Sequence, residues 1–268
     1  MVIIAIIQAR MTSSRLPGKV LRDIAARPML GWVVERARRA STVSQVIVAT
    51  TTDPSDDPVA AYCGERGYDC IRGSLNDVLD RYYQAALQAQ AEVVVRITAD
   101  CPFIDPALID DAIGVLLEGG FDFVANRLPR PWGRTYPIGL DVEVFTFAAL
   151  ETAWQQATEK HQREHVTPYF YEDTPANALR LNAARRAEFV TPRGFRIALL
   201  HAPADYGHLR WTVDTAADLE LARRIAAYFP DDTFSWTDIL RLVEGHPELT
   251  QINAAVPHKT HLDVDDRL

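Results

Sequence analysis

The hydrophobic pattern of the first 120 residues predicts alternating strands and helices. Three continuous apolar runs are rich in β-branched residues, which is typical of strands buried on both faces. These runs span 2–7, 45–50 and 92–97. Segments with helical periodicity separate them and follow them, with a short strand predicted at 68–71; the helices are expected at 29–40, 58–66, 76–90 and 106–117. The alternation predicts a largely parallel sheet with helices on both faces.

The regular pattern breaks near residue 126. Residues 126–137 are rich in Pro, Gly, Arg and aromatic side chains and predict a long loop. Later elements are predicted as strands at 140–145, 195–200 and 209–213 and as helices at 148–156, 161–171, 216–228 and 235–244. The tail after Ile252 is polar and is expected to be loosely held. We find no internal repeat and no linker, so a single domain over residues 1–268 with an inserted lobe is expected.

Two features of this pattern bear on where a ligand binds. In parallel sheets the ligand lies at the carboxyl ends of the strands, so the loops after Ile7, Val48 and Ile97 should converge on one site. On the helix predicted at 106–117, Asp105 is placed to cap the N-terminus and Pro106 to take the first helical position.

Composition and charge narrow the class of protein. Hydrophobic residues make up 48% and charged residues 24%, as in an ordinary globular protein. The net charge of −8 argues against bulk binding of nucleic acid. Residues 1–40 nevertheless carry eight basic and two acidic residues, a local charge of 8 − 2 = +6 that indicates an anionic ligand. Three of these basic residues are expected only to solvate a helix face: Arg36, Arg38 and Arg39.

The remaining bulk features predict a cytoplasmic protein. No apolar stretch approaches the roughly 20 residues needed to span a bilayer, so no membrane association is expected. The apolar start lacks the basic region and cleavage site of a signal peptide and is interpreted as a buried strand. The three cysteines form no C-x-x-C pair, which predicts neither a zinc site nor a disulfide framework. These are Cys63, Cys70 and Cys101.

A basic loop follows the first predicted strand. Residues 8–19, QARMTSSRLPGK, hold three cationic side chains, three hydroxyl residues and one Gly. Backbone N–H groups, hydroxyls and cations together suit phosphate oxygens. The loop matches neither the P-loop pattern nor G-x-G-x-x-G, which disfavours dinucleotide binding. A solvated basic loop is the alternative, but its position after a buried strand favours an anion site.

Two aspartates lie where predicted strands end. Asp100 closes EVVVRITAD, and Asp214 closes LRWTVD. Mg²⁺ prefers oxygen ligands and is usually held by one or two carboxylates with phosphates and waters. The pair therefore predicts a Mg²⁺ site. The alternatives are a helix N-cap for Asp214 and a turn residue for Asp100.

The basic loop resembles the opening of a known enzyme family. The segment IIQARMTSSRLPGKVL at 6–21 resembles that of the cytidylyltransferases that make CMP-activated acidic sugars, including the acylneuraminate and 3-deoxy-manno-octulosonate enzymes. It is most similar to the spore-coat polysaccharide branch. The pattern A-R-x-x-S-x-R-L-P-G-K is matched by Ala9, Arg10, Ser13, Arg15, Leu16, Pro17, Gly18 and Lys19.

The resemblance continues along the chain. T-A-D-C-P at 98–102 resembles the family's metal-binding motif, and the stretch V-D-T-x-x-D-L-E at 213–220 its second metal-ligand segment. The sequence departs from the octulosonate enzymes at Ala99-Asp100-Cys101, where they carry Asp-Glu-Pro, and this weakens any assignment of their particular sugar. The resemblance implies a Rossmann-like nucleotidyltransferase fold with a mostly parallel mixed sheet, and a homodimer.

The resemblance also implies site residues. The side chains expected to neutralise the triphosphate during catalysis are Lys19, Arg10 and Arg15. The expected nucleotide-binding residues are Ala9, Arg10, Ser13, Arg15, Gly18, Lys19, Thr50, Arg72, Ser74 and Asp80. The expected acceptor-binding residues are Asp141, Glu143, Glu164 and His165. Arg81 is a candidate ligand contact beside Asp80, and a surface pair of the two is the alternative. Asp141 and Glu143, on one face of a strand, could equally be edge charges facing water.

Two further patterns are not interpreted as ligand-binding motifs. His161 and His165 have the spacing of H-E-x-x-H, but Gln162 replaces the required Glu, which disfavours zinc. A cluster of aromatic residues is assigned to the core or a dimer interface: Trp154, Tyr169, Phe170 and Tyr171.

The sequence thus predicts transfer of CMP from CTP to a sugar acid or sugar phosphate, with Mg²⁺ and release of pyrophosphate, for surface polysaccharide or glycoconjugate synthesis. The nucleotide-binding half is expected over 1–125, a substrate and dimerisation lobe over 126–175, and the return to the core over 195–250. The alternatives are a nucleotide-sugar-dependent glycosyltransferase and a non-catalytic member of the fold. The Asp-x-Asp motif of glycosyltransferases occurs only at Asp263 and Asp265, in the tail.

Overall fold

The computed structural model describes residues 1–129, 131–179 and 181–257. Its strands are β1 Ile3–Gln8, β2 Asp23–Ile24, β3 Arg27–Pro28, β4 Gln45–Thr51, β5 Asp69–Gly73, β6 Val93–Thr98, β7 Phe123–Ala125, β8 Glu143–Thr146, β9 Arg186–Val190 and β10 Arg196–Leu200. Its helices are α1 Met29–Ala37, α2 Asp57–Arg66, α3 Val78–Gln88, α4 Pro106–Gly119, α5 Phe147–Gln156, α6 Lys160–His165, α7 Pro168–Tyr171, α8 Ala216–Ala227, α9 Trp236–Gly245 and α10 Pro247–Gln251. Short 3₁₀ helices occur at Lys19–Leu21, Pro54–Asp56 and Ala176–Ala178.

Eight of the strands form one mixed sheet in the order β5-β4-β1-β6-β8-β7-β10-β9. Four neighbouring pairs are parallel: β5 with β4, β4 with β1, β1 with β6, and β7 with β10. Strand β8 runs antiparallel to both of its neighbours, and β9 runs antiparallel to β10. The predicted α/β class with a mostly parallel, mixed sheet is confirmed.

Strand β1 lies inside the sheet and is buried on both faces. Ile3, Ala5 and Ile7 belong to one hydrophobic core, and Ile4 and Ile6 belong to the other. This alternation follows from the two-residue period of a strand. Since β4 and β6 flank β1 in parallel, the carboxyl ends of all three strands meet at the same edge.

Helix α4 begins as predicted. The side chain of Asp105 accepts from the backbone N–H of Ala107 at 2.9 Å, and Pro106 is the first helical residue. Among the described residues, no helix has both the length and the apolar character needed to cross a membrane.

Two predicted elements are wrong. The single helix expected at 161–171 is two helices, α6 and α7. The first ends because Val166 adopts a φ of 71°, and Pro168 has no backbone N–H with which to continue it. Residues 209–213 form no strand. They run extended beside Ile138, with a single bridge from Arg210 and a hydrogen bond from the Val213 N–H to the Asp100 carbonyl.

Four strands were not anticipated: the two-residue strands β2 and β3, and β7 and β9 of the large sheet. Strand β7 has only three residues, and β9 is an edge strand with an exposed Val190, so neither carries a clear apolar run. Both lie in the half of the sheet where antiparallel pairs occur.

Arg36 corrects the expectation of a solvated helix face. Its side chain is buried, and it donates to the carbonyls of Ile104 at 2.7 Å, Phe234 at 2.9 Å and Asp232. Burial lowers the pKa of Arg36 to about 10. Arg38 and Arg39 are exposed, as expected.

The tail also departs from expectation. Asn253 is buried, and its amide donates to the Arg210 carbonyl and to Asp218, so the chain is anchored beyond Ile252. Residues Asp263 and Asp265 lie outside the described residues.

Candidate active site

The basic loop connects β1 to the first 3₁₀ helix and turns back on itself. The N–H of Gly18 donates to the Met11 carbonyl at 2.9 Å, and Gly18 has a φ of +69°, a left-handed conformation that glycine adopts without strain. The N–H of Met11 donates to Asp56 at 2.6 Å. These bonds place Lys19 at the start of the 3₁₀ helix with its side chain directed at the sheet edge.

Lys19 binds both predicted metal-binding carboxylates. Its Nζ lies 2.8 Å from Asp100 and 2.8 Å from Asp214, and it donates to the Val213 carbonyl at 3.0 Å. Asp100 also accepts from the Thr98 hydroxyl at 2.6 Å. Three residues far apart in the chain therefore meet at one point, with a cation between two anions.

Two arginines approach the other side of Asp214. Arg15 and Arg210 lie 2.9 and 2.7 Å from its Oδ2 atom. The N-cap of α8 is Thr215, whose side chain and that of Asp218 form a capping box. The alternative interpretation of Asp214 as a helix cap is therefore wrong.

The cluster shifts the pKa values of its members in opposite directions. Burial alone would lower the pKa of Lys19, but the Asp100 and Asp214 carboxylates reverse this and raise it. Burial would raise the pKa of Asp214, yet Lys19, Arg15 and Arg210 hold it well below its usual range. Both groups are charged at neutral pH.

The first of three adjoining cavities, the loop cavity, has a volume of about 220 Å³. It is lined by the basic loop, by the residues at and just after the end of β6, including Asp100, and by Asp214, which precedes α8. Backbone groups, hydroxyls and cations all face it, which is the chemistry that a polyphosphate requires. The loop residues that line it are Arg10, Thr12, Ser13, Ser14, Arg15 and Lys19.

The second, the arginine cavity, has a volume of about 260 Å³ and shares Asp100 and Asp214 with the first. Arg96 donates to the buried Glu143 at 2.6 Å. Arg127 lies between Asp141 and Glu143, with its nearest atoms 3.5 and 3.8 Å from their oxygens. Asp141 and Glu143 thus line one cavity, Glu143 as a buried residue and Asp141 as a half-buried one.

The third, the small cavity, has a volume of about 150 Å³. Arg81 lines it and donates to the Ser74 carbonyl, which ties helix α3 to the end of β5. His165 faces both the small and the arginine cavities, whereas Glu164 faces the small and loop cavities. The other residues that line it are Gln8, Ala9, Arg10 and Val78.

Five predicted nucleotide-binding residues do not line these cavities: Gly18, Thr50, Arg72, Ser74 and Asp80. Thr50 is buried at the end of β4, and its hydroxyl has no hydrogen-bond partner among the described residues. Arg72 donates to the Thr51 carbonyl at 2.7 Å, and Ser74 is exposed. Asp80 accepts from Trp154 at 2.9 Å on the face between α3 and α5, so Arg81 and not Asp80 faces the small cavity.

Sequence reasoning missed four residues of the site: Gln8, Arg96, Arg127 and Arg210. Arg96 carries a visible signal, because a charged residue inside the apolar run EVVVRI requires a buried partner. Arg127 lies in the irregular loop, where no periodicity indicates direction.

The remaining predicted clusters are structural. His161 contacts Glu172 at 2.7 Å, and within the described ranges no group of three or more His, Cys, Asp or Glu side chains is arranged to hold a metal. Tyr169, Phe170 and Tyr171 are core residues, and Trp154 stacks on Tyr83 with ring centroids 4.1 Å apart.

An α/β sheet with a loop suited to phosphate after its buried strand β1 indicates a nucleotidyltransferase. Comparisons with known proteins identify the family. A cytidylyltransferase family model matches residues 4–202. The chain is 30% identical over 92% of its length to the spore coat polysaccharide biosynthesis protein SpsF of Bacillus subtilis, of which it covers 95%. It is also 32% identical over 83% of its length to the 3-deoxy-manno-octulosonate cytidylyltransferase of Anaeromyxobacter sp. (strain K), covering 96% of it. The chain belongs to the cytidylyltransferase family.

Solved structures agree with this assignment. A cytidylyltransferase from Leptospira borgpetersenii superposes with a TM-score of 0.81 at 30% identity, covering 96% of this chain and all of that one. A CMP:2-keto-3-deoxy-manno-octonic acid synthetase, solved with CTP, shares the fold with a TM-score of 0.60 at 20% identity. The predicted fold and the predicted class of enzyme, a CTP-dependent nucleotidyltransferase, are confirmed.

Proposed function

We propose that the protein transfers CMP from CTP to a sugar acid or sugar phosphate, with Mg²⁺ and release of pyrophosphate, for the synthesis of a surface polysaccharide or glycoconjugate. The observation that carries the proposal is the meeting of Lys19, Asp100 and Asp214 at the wall shared by the loop and arginine cavities. A triphosphate and an acceptor bound in these two cavities would meet at that wall.

The two carboxylates suit a magnesium ion. Both already bind a single cationic group, the Lys19 ammonium, through oxygen atoms at 2.8 Å, so their oxygens converge. A pair of carboxylates completed by phosphates and water is the usual protein contribution to a Mg²⁺ site. Asp100 and Asp214 would hold the ion, which when bound supplies positive charge to the phosphate oxygens.

The basic residues supply the rest of the charge. Lys19 exchanges its carboxylate partners for phosphate oxygens when the triphosphate occupies the loop cavity, and Arg10 and Arg15 neutralise the same group. The acceptor oxygen attacks the α-phosphorus and forms the new P–O bond. The bond from that phosphorus to pyrophosphate breaks, and the leaving group keeps the electron pair. A hydroxyl acceptor passes its proton to water, whereas a sugar phosphate attacks through an ionised oxygen that carries no proton. This chemistry depends on positioning and charge.

The arginine cavity is assigned to the acceptor. Arg96 and Arg127 give it a capacity for anions, while Asp141 and Glu143 can accept hydrogen bonds from sugar hydroxyls. Both acceptor classes carry an anionic group and several hydroxyls. His165 faces the same cavity from α6.

A glycosyltransferase reaction is less well supported than cytidylyl transfer. A glycosyltransferase would also have to neutralise the diphosphate of a nucleotide sugar, so the basic loop cavity does not separate the two reactions. The match of residues 4–202 to a cytidylyltransferase family model favours cytidylyl transfer. A non-catalytic role would give no physical reason to keep a buried cation between two carboxylates.

The test is pyrophosphate release from each of four NTPs with Mg²⁺ and a panel of sugar acids and sugar 1-phosphates. We expect release from CTP with a subset of acceptors, and a CMP-sugar of matching mass. The matched control is Lys19→Ala, for which we expect kcat to fall by roughly 10²–10³-fold, the scale of one preorganised electrostatic contact. Release that is equal with all four NTPs, or absent with every acceptor, would contradict the proposal.

We further propose a cytoplasmic homodimer. The family resemblance implies a homodimer, and two-fold pairing is the commonest assembly. The aromatic segment over 126–175 is the candidate interface. Light scattering at micromolar concentration should give twice the monomer mass of 30.0 kDa. A monomer mass would contradict it.

A further inference from the structure

The strongest unassigned feature of the site is the side chain of Gln8, the last residue of β1. In the sheet it pairs with Thr98 of β6 and with Ala49 of β4, so its position is set by the strands on both sides. Its backbone carbonyl accepts from the N–H of Ala99. Gln8 is therefore held at the sheet edge by backbone bonds that do not depend on its side chain.

Gln8 lines all three cavities. Other described residues line at most two: Asp100 and Asp214 face the loop and arginine cavities, and Arg10 faces the loop and small cavities. Gln8 alone among the described residues lies where the three cavities meet.

The amide of Gln8 is not used by the protein. Its Oε1 atom is buried and has no hydrogen-bond partner among the described residues. A buried amide oxygen left unpaired is costly, and native structures rarely keep one without a reason. An amide both donates and accepts, so it can serve two ligand groups at once.

One atom of the reaction connects three groups, as Gln8 borders three cavities. In the proposed transfer, the α-phosphorus of CTP is bonded to the nucleoside, to the departing pyrophosphate and to the incoming acceptor oxygen. The small cavity is assigned to the cytosine end of the nucleoside, the loop cavity to the pyrophosphate and the arginine cavity to the acceptor. The place where the cavities meet is then the place of the α-phosphorus.

We propose that Gln8 is a catalytic residue that binds both reactants at this point. Its Nε2 donates to a non-bridging oxygen of the α-phosphate, and its Oε1 accepts from the attacking hydroxyl of the acceptor. Gln8 takes no proton and forms no bond; it orients the hydroxyl toward the phosphorus. This inference rests on the proposed function.

The test compares Gln8→Met, which keeps the length of the side chain and removes both hydrogen-bonding groups, with Gln45→Met as the matched control. Gln45 begins β4, and its exposed amide donates to Asp69 at 3.1 Å. We expect Gln8→Met to lower kcat by about 10²–10³-fold, the scale of one lost preorganised contact. The Kd for CTP, measured by calorimetry without an acceptor, should change by less than about tenfold. Gln8→Asn, which restores a shorter amide, should give an intermediate kcat.

Thermal unfolding separates catalysis from structure. Because Gln8→Met removes a buried oxygen that has no partner among the described residues, the variant should keep the Tm of the wild type or exceed it. An unchanged kcat in folded Gln8→Met, or a Gln8→Asn variant no better than Gln8→Met, would overturn the proposal. A wild-type enzyme that releases no pyrophosphate from CTP with any sugar acid or sugar phosphate would instead overturn the proposed function, and the Gln8 proposal with it.

Discussion

Arg210 donates to Asp214 through Nη2 at 2.7 Å while its Nε atom donates to Asp218 at 2.9 Å. Asp218 is buried and also receives the backbone N–H groups of Asp214 and Thr215. Arg210, held by the buried Asp218 at the start of α8, therefore fixes the position of Asp214, the proposed metal ligand. Such supporting contacts around a metal-binding carboxylate commonly determine its orientation.

Replacing Arg210 by Met should damage both stability and activity. It leaves Asp218 buried without its cation, so the free energy of unfolding should fall by about 3–5 kcal/mol. The loss of orientation at Asp214 should lower kcat/KM by about 10–100-fold. Urea unfolding and initial rates of pyrophosphate release measure the two effects.

The control is Arg224→Met, on α8, the helix that carries Asp218. Arg224 pairs with Glu220 at the exposed surface, and removing such a pair should cost no more than about 0.5 kcal/mol. If Arg210→Met behaved like Arg224→Met in both assays, Arg210 would have no supporting role.

Arg36 should stabilise the fold without acting in catalysis. Arg36→Met removes the side-chain donor of the Ile104 and Phe234 carbonyls, whereas the Asp232 carbonyl keeps its bond from Arg39; each unsatisfied buried group costs about 1–3 kcal/mol. We expect a large fall in Tm, with kcat unchanged at temperatures where the variant is folded. Arg38 lies two residues further along the chain and is exposed, so Arg38→Met should leave the Tm nearly unchanged. Equal Tm values for the two variants would contradict the buried role.

These two arginines mark the limit of what the sequence could predict. The strand–loop–helix order of the first 120 residues follows from local periodicity, and with it the meeting of the loops after β1 and β6, which carry Lys19 and Asp100. Asp214 was predicted from the family resemblance and from a strand at 209–213 that the structure does not contain. Arg36 lies on a helix whose basic neighbours are exposed, and only the approach of residues 232–234 makes it a buried donor. No local pattern encodes that approach.

The second half of the chain was harder for the same reason. The segment at 209–213 has the apolar character of a strand, but its hydrogen bonds go to Ile138 and Asp100 in loops. The residues that line the arginine cavity come from several separate segments, so their meeting is a property of the tertiary fold. Asp80 was predicted to bind the nucleotide, but its side chain contacts Trp154. The next residue on α3, Arg81, lines the small cavity.

The Lys19 cluster predicts a specific dependence of stability on pH. Because the pKa of Lys19 is raised above 10.5, its contribution is complete below that value and is lost as the pH rises through the raised pKa. Because the pKa of Asp214 is lowered below 3.8, its contribution is complete above that value and is lost as the pH falls through the lowered pKa.

Urea unfolding of the wild type and Lys19→Met should therefore differ by a constant amount between about pH 5 and 10. We expect a difference of about 1.5–3 kcal/mol, the scale of hydrogen bonds to charged groups, that shrinks above pH 10.5. Subtracting the two curves removes the titration of other groups. A difference that changed steadily between pH 6 and 9 would contradict the assignment.

Nucleotide selectivity should be visible without an acceptor. CTP with Mg²⁺ should raise the Tm more than ATP or GTP at the same concentration, because a ligand that binds the native state stabilises it. A purine is larger than the cytosine that the small cavity of about 150 Å³ is proposed to hold. Equal shifts with all nucleotides would indicate a phosphate site without base recognition.

The most direct test of the central claim is a double-mutant cycle on Asp100 and Asp214, measured as initial rates of pyrophosphate release from CTP. If the two carboxylates hold one Mg²⁺, Asp100→Asn and Asp214→Asn should each reduce kcat severely, and the double variant should be little worse than either single variant. Circular dichroism should show all three folded. A folded Asp214→Asn enzyme with near-normal turnover, or two losses that simply multiply, would contradict the account.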